Sequence, residues 1–138
     1  MQTFLPYGSL DSVQYLDRQR LGKQRVETFQ ILQALHGETK GWVNHPATRM
    51  WRGYENALVA YGVAVCAEWI DRGYKDTMTD RIAAYGTDSL FLYPDWFGDP
   101  DFHAAHRSNL LKKAPDFYRK FWPDEPDDLE YIWPVPKD

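Results

Sequence analysis

Between Tyr15 and Tyr74, basic, acidic and aromatic side chains recur on two helical patterns joined by a Gly/His/Pro turn. From Arg18 to Arg52, Arg18, Arg20, Lys23, Arg25, Lys40, Arg49 and Arg52 face only Glu27 and Glu38, a local surplus of +5 in a chain of net charge -4. A second basic block, Arg107, Lys112, Lys113, Arg119 and Lys120, is opposed only by Asp116. Cations clustered in this way either neutralise phosphates or form ordinary solvated helix faces. Arg49 and Arg52, one turn apart, suit phosphate contacts or ion pairs with Glu55 or Glu38. Trp42, Trp51, Tyr54 and Trp96 are of the type that stacks on exposed bases, although Trp51, Tyr54, Tyr61 and Trp69 also follow a helical stripe and read as core. His103 and His106, three apart, could join His45 or Asp101 around a divalent ion. Without a companion carboxylate motif they read instead as two surface or supporting histidines, and no metal or cofactor is expected. Cys66 has no obvious activating His, and neither a nucleophile elbow nor a phosphate-binding Gly loop is present.

The elements that must carry these groups are helices. Met1 to Gly8 is apolar and contains Pro6, so an extended arm laid on the body is expected, which would hold a free amine at its end in place. Ser9 to Leu16 reads as a short helical turn, and Asp17 as the N-cap of a long helix from Arg18 to about His36, stopped by Gly37. On that helix Leu21, Val26, Phe29, Leu32 and Leu35 are expected to be buried, with Arg20, Lys23, Gln24, Glu27 and Gln30 on the polar side. Pro46 is expected to open a second long helix to about Arg72, its stripe formed by Met50 or Trp51, Tyr54, Leu58, Tyr61, Val65 and Trp69. Gly53 and Gly62 mark close approach of another element. Thr79 is expected to cap a helix through Tyr85, Gly86 to Pro100 to form an ordered loop, and Asp99 or Asp101 to cap a helix to about Ala114. Pro115 starts a last short helix to Trp122. The Pro-rich tail is expected to pack Tyr131, Ile132 and Trp133 across the surface. No alternating strand pattern occurs, so the expected fold is all-α, a single domain over residues 1–138.

The 138 residues suffice for one domain with a sizeable core, and the aromatic content argues against disorder. Cys66 is the lone cysteine, which excludes an intramolecular disulfide and fits a reducing compartment. The N-terminal residues lack a basic segment followed by an apolar core, and no window approaches a membrane span, so a cytoplasmic protein without a membrane partner is expected. Acid gathers in Asp88 to Asp101 and in Asp124 to Glu130, leaving the basic blocks to form a face of their own.

Tyr15-Leu16-Asp17-Arg18-Gln19, Glu27, Thr39-Lys40-Gly41-Trp42-Val43-Asn44-His45-Pro46 and Arg72-Gly73-Tyr74 occur in that order. In this the chain resembles endonuclease V-type pyrimidine-dimer DNA glycosylases, well over its first half and more loosely from Phe102 to Tyr118. The resemblance implies a DNA repair glycosylase with AP-lyase activity and no cofactor. Its nucleophile would be the N-terminal amine, here that of Met1, attacking C1′ of the damaged nucleotide, forming a Schiff base and allowing β-elimination. An α-amino group, with an ordinary pKa of about 7.7 to 8.0, is partly neutral near physiological pH, unlike a typical Lys. The family's Arg-Gln-X-Leu motif, followed six residues later by the catalytic Glu, is matched by Arg18-Gln19-Arg20-Leu21 and Glu27. Glu27 would stabilise the oxocarbenium-like sugar and shuttle protons.

The same resemblance implies a partner, damaged double-stranded DNA, and a protein acting as a monomer. Arg18, Arg20, Lys23, Arg25, His45, Arg49, Arg52, Lys112 and Lys113 would form the DNA-binding surface. Lys112 and Lys113 precede Pro115-Asp116-Phe117-Tyr118, similar to a family segment near DNA. His45 either contacts phosphate or the flipped nucleotide, or serves the turn with Asn44 as cap. Arg25 either reaches DNA around the helix edge or buries its stem and pairs with a carboxylate. The sequence departs from the family at Val26, where Arg precedes the catalytic Glu, and at Gln2, which is bulkier than the small residue that follows Met in phage relatives. Those departures define the alternative, a non-catalytic nucleic-acid- or protein-binding member on the same scaffold.

Overall fold

The regular elements among the described residues are helices, joined by turns and irregular segments. In the computed structural model, which describes residues 2–87 and 92–134, a 3₁₀ turn over Leu10–Tyr15 is followed by six α-helices. These are α1 (Arg18–Leu35), α2 (Pro46–Arg49), α3 (Glu55–Asp71), α4 (Thr79–Ala83), α5 (Pro100–Lys113) and α6 (Pro115–Tyr118). No strand occurs among the described residues, so the fold is all-α, with α1 lying on α3. Met1 lies outside the described residues, as do residues 88–91 of the loop expected between Gly86 and Pro100.

Several helix boundaries follow the sequence directly. Ser9 caps the 3₁₀ turn through Asp11 N–H, and Asp99 caps α5 through Asp101 N–H. Gly37 ends α1 at φ 73°. Asp17 stands at the N-cap of α1 without making a capping bond, because its carboxylate instead accepts from the Tyr118 hydroxyl at 2.5 Å and from Arg20 at 3.2 Å. Asp76, not Thr79, caps the start of α4: its carboxylate accepts from the Thr79 N–H at 2.8 Å and from the Thr79 hydroxyl. α4 gives way to a turn after Ala83, and α6 after Tyr118, each earlier than expected.

The second long helix is two helices. Between α2 and α3 the chain turns through Met50–Tyr54, and Gly53 sits at φ 88°, a left-handed conformation that glycine adopts without steric cost. A Cβ on Gly53 would meet nothing within 4 Å, so this glycine serves the turn and not a close approach. The turn swings Met50 and Trp51 into the core, where the Trp96 indole N–H donates to the Met50 carbonyl at 3.2 Å. Gly62 does mark a close approach: a Cβ there would lie 2.6 Å from Thr28 Cγ2 and 2.9 Å from Ile82 Cγ2, where α1 and α4 press on α3.

The N-terminal arm lies within the core and not merely on it. Thr3, Phe4, Leu5 and Pro6 are buried, yet the arm has no helix or sheet to satisfy its backbone. Buried peptide groups must be paired, and here side chains do it. The Gln2 carbonyl accepts from Gln24 at 2.9 Å, and the Thr3 carbonyl from the Tyr131 hydroxyl at 3.0 Å. The Phe4 carbonyl accepts from Tyr61 at 2.9 Å and the Pro6 carbonyl from Arg107 at 2.7 Å. His103 and His106 clamp the peptide groups of Leu5. Nδ1 of His103 is 2.8 Å from its carbonyl, and Nδ1 of His106 accepts its N–H at 3.0 Å. Because Nε2 of His103 accepts the Gly98 N–H at 2.8 Å, its proton sits on Nδ1 and donates to Leu5.

This arm rotates the buried face of α1 from the one expected. Leu21, Gln24, Thr28, Ile31 and Leu32 are buried, whereas Val26 is 42% exposed. Gln24 belongs inside because the arm offers it hydrogen-bond partners there. Of the three tail residues expected to pack, Tyr131 stacks on His106 at 4.6 Å and Trp133 lies against Tyr131 at 4.5 Å, whereas Ile132 is exposed.

Candidate active site

Glu27 projects from the middle of α1 towards the start of the arm. Its Oε2 accepts from Nε2 of Gln24 at 3.0 Å, and the same nitrogen donates to the Gln2 carbonyl at 2.9 Å. One buried amide thus holds the acidic group and the second residue of the chain together. The other end of that amide is fixed: Oε1 of Gln24 accepts from the Tyr61 hydroxyl at 2.7 Å and from Phe4 N–H at 3.3 Å. Burial raises the Tyr61 phenol far above its ordinary pKa, so it remains a neutral donor.

Around this junction is a cavity of about 90 Å³ lined by Gln2, Gln19, Arg20, Lys23, Glu27 and Lys113, with Phe4 and Gln24 beneath. Glu27 is the acid of that lining and Arg20, Lys23 and Lys113 are its cations. On its other side Glu27 also borders a wider groove of about 800 Å³, shared with Arg18, Gln19, Lys23, Gln30, Trp69 and Tyr74. Trp69 and Tyr74 stack at 4.4 Å and form an aromatic wall. Trp69 lies against α1 because position 22 is glycine: a Cβ there would come within 3.1 Å of the indole. A third depression, near the 3₁₀ turn and α3, carries Asp11, Glu68 and Asp71. That lining is acidic, with Glu68 paired to Arg72 at 3.0 Å, whereas the lining on the Glu27 side carries cations.

The structure brings together only part of the expected cationic set. Arg18, Arg20 and Lys23 follow the outer turns of α1, and Lys113 at the end of α5 joins them across the cavity. Lys112 is exposed beside it. Arg25 has its guanidinium 3.1 Å from the Asp76 carboxylate and 4.6 Å from the centre of the Trp69 ring. It therefore takes the carboxylate-pairing alternative, although the contact with Asp76 lacks hydrogen-bond alignment. Burial raises the Asp76 carboxyl, but Thr79, Met78 and the Arg25 charge outweigh it and hold the group below its ordinary value.

His45, and not its neighbour Asn44, caps α2: its Nδ1 accepts the Ala47 N–H at 3.0 Å. Burial holds its imidazole below the usual value, consistent with a neutral ring that accepts. Its ring packs edge-on against Trp42 and Trp133 at 5.2 and 5.7 Å. Arg52 lies in the turn after α2, off the helix that carries Arg49, and donates to the Val43 carbonyl at 2.8 Å. Glu38 accepts instead from the Tyr85 hydroxyl at 2.6 Å and Glu55 from Gly53 N–H at 3.2 Å. Of the expected stacking aromatics, Trp51 is fully buried and its indole N–H donates to the Thr3 hydroxyl at 3.2 Å, whereas Trp42 remains exposed. His103 and His106 spend their Nδ1 atoms on the arm, and no cluster of three or more His, Cys, Asp or Glu able to hold a metal occurs among the described residues.

Sequence reasoning missed Gln24 and Tyr61. A signal was present for Gln24: Leu21, Gln24, Thr28 and Ile31 follow helical spacing and form a stripe of their own. Reading polar residues as outward-facing concealed it.

Fold and site together define a small all-helical protein whose acidic group, inside a cationic hollow, is tied to its amino-terminal arm. The chain belongs to the pyrimidine dimer DNA glycosylase family: the model of that family matches residues 1–82, more than half of the chain. The matched region carries the arm, α1, α2, α3 and most of α4, and thus Glu27, Gln24 and Tyr61. No curated protein and no solved structure matches the chain. Among the described residues no helix is long and apolar enough to cross a membrane.

Proposed function

We propose that this member of the glycosylase family removes a damaged base from double-stranded DNA and then cleaves the strand as an AP lyase, with the amine of Met1 as nucleophile and Glu27 as acid and base. The observation that supports this most is the Gln24 amide, which joins Gln2 to Glu27. The cavity that Glu27 lines also includes Gln2, the residue one peptide bond after the proposed nucleophile.

In this reading the neutral amine gives its lone pair to C1′ as the glycosidic bond breaks, and the base leaves with the electron pair of that bond and takes a proton from water. The ionised Glu27 accepts a proton from the new aminium, and opening of the C1′–O4′ bond yields the protonated imine as O4′ takes up a proton. Glu27 delivers that proton, and its carboxylate then takes a C2′ proton as the 3′ phosphate departs, which completes β-elimination. The Glu27 charge also stabilises the oxocarbenium-like sugar. Arg18, Arg20, Lys23, Lys112 and Lys113 neutralise phosphates around the hollow, Arg49 at the end of α2 and Arg52 in the following turn extend that cationic surface, and the neutral His45 ring offers a contact beside them.

Sodium borohydride trapping on a duplex carrying an abasic site tests the reading. A covalent adduct whose cross-linked peptide begins at the terminal amine is expected. An absent adduct, with a free N-terminus verified by mass spectrometry, rules out the proposed nucleophile. Exposed Val26, in the position of the family's arginine, favours a second reading in which the protein binds DNA without chemistry. Unchanged DNA binding by wild type and Glu27→Gln, with no cleavage by either, supports that second reading.

A further inference from the structure

We propose that Gln24 is a positioning residue of the lyase reaction, setting the separation between the start of the chain and the Glu27 carboxylate. The inference rests on the reading above and adds a role that neither the motif nor the family match assigns.

The argument starts from burial. Gln24 is 1% exposed, and a buried primary amide must place two donors and an acceptor. The Gln24 side chain makes two bonds to the arm, one to Glu27 and one to Tyr61 of α3. Nε2 donates to the Gln2 carbonyl at 2.9 Å and to Glu27 Oε2 at 3.0 Å, while Oε1 accepts from Tyr61 at 2.7 Å and from Phe4 N–H at 3.3 Å. Partners of fixed role settle the amide orientation: the Phe4 N–H can only donate, to Oε1, while the Gln2 carbonyl and the Glu27 carboxylate accept from Nε2, and the single Tyr61 proton is shared between Oε1 and the Phe4 carbonyl. The nitrogen end is therefore aimed at both Gln2 and Glu27. Tyr61 in turn lies 2.9 Å from the Phe4 carbonyl and 3.2 Å from Phe4 N–H, so the same phenol fixes the next stretch of the arm.

The arm lacks regular secondary structure, and its first turn of freedom begins at Gln2. Each fixed hydrogen bond there converts a diffusing amine into one held near its target, a gain in effective concentration that a displacement of about 1 Å forfeits. Gln24 supplies the bond closest to the amino terminus among those joining the described arm to α1. Because its two Nε2 hydrogens go to different partners, movement of the arm and movement of Glu27 are coupled through one rigid planar group.

Gln24→Glu keeps the acceptor for Tyr61 and Phe4 and replaces the donor pair with a carboxylate oxygen that faces Glu27, so it breaks the link to Gln2 and also disturbs the Glu27 charge. Gln24→Met, similar in volume, removes both functions and serves as a second variant. The measurement is single-turnover borohydride trapping on an abasic duplex across DNA concentrations, with thermal melting alongside. Both variants are expected to lose roughly tenfold or more in the saturating trapping rate, with the half-saturating DNA concentration changed by less than about twofold. Tyr61→Phe is expected to lower the saturating rate in the same sense, since it frees the Gln24 amide to turn. A Gln24→Glu protein that melts cooperatively and traps at the wild-type saturating rate overturns the inference and leaves the proposed lyase intact. A fall confined to DNA affinity also overturns it. No adduct from the wild type removes the lyase reading itself and this inference with it.

Discussion

Leu5 and His106, 101 positions apart in the chain, are joined by a hydrogen bond in which the Leu5 N–H donates to Nδ1 of the imidazole at 3.0 Å. That bond exists only while Nδ1 is unprotonated. Burial, and then the neighbouring His103, hold His106 well below its ordinary value of 6.5. In the unfolded chain the same ring takes up a proton near that value, so between the two values the unfolded state binds more protons than the folded one. The stabilising contribution is complete above about pH 6.5 and declines as the pH falls through that window, by at most about 1.4 kcal/mol per pH unit for one group. Thermal melting at pH 7.5 and 5.5 should show the wild type losing more stability on acidification than His106→Leu. That variant should start lower by about 1–3 kcal/mol, because the Leu5 N–H is left buried without an acceptor. Equal acid sensitivity in the two proteins would contradict the clamp.

Glu27→Gln keeps the shape of the side chain and the acceptor for Gln24, and removes the group proposed to move protons. The trapping and strand-cleavage rates are expected to fall by about 10²–10⁴-fold, with the melting temperature almost unchanged. A variant that cleaves abasic DNA at the wild-type rate removes Glu27 from the chemistry.

Val26 is exposed beside Glu27 at the rim of the wide groove, in the position where the family carries arginine. Val26→Arg should therefore cost little stability and add a phosphate contact, raising the magnitude of the salt dependence of DNA binding by about 0.9 in log K against log salt. Lys23→Ala, on the same outer face, should lower it by about the same amount. Fluorescence anisotropy with a labelled duplex over a salt series reads both, and identical slopes for all three proteins would place the DNA elsewhere.

Two glycines should respond to alanine for different reasons. At Gly62 the new methyl group meets Thr28 and Ile82 at under 3 Å, so overpacking of about 1–3 kcal/mol outweighs the gain of up to about 1 kcal/mol in helix propensity. At Gly53 the space is open, and the cost comes from forcing a side chain into φ 88°, about 1–2 kcal/mol. Urea unfolding measures both. Compensating mutation of Thr28 to Ser should relieve Gly62→Ala because it removes the Cγ2 methyl in the way, and should leave Gly53→Ala unaffected.

The all-helical fold was legible because helical spacing and punctuation are local properties. Asp99 before Pro100 and Gly37 after Leu35 mark their boundaries with bonds made within a few residues. The place of Glu27 on α1 was legible as well, since helical spacing from Arg18 onward carries the helix through it. Gly53 was misread for a physical reason: the same residue type serves a close approach or a left-handed turn, and only the backbone angle separates the two.

Sequence alone thus determined the inventory: helices, the arm, the acidic group of α1 and the basic residues flanking it. Tertiary structure decided which polar residues turn inward. An irregular arm threaded through a core brings peptide groups that local structure cannot satisfy, and the partners for them come from distant positions: Gln24, Tyr61, His103, His106, Arg107 and Tyr131. Those pairings depend on closing long loops of chain: helical spacing within α1 can mark Gln24 as inward-facing, but not which groups it meets there. The same demand drew Gln24 inside and, with it, coupled Glu27 to the beginning of the chain.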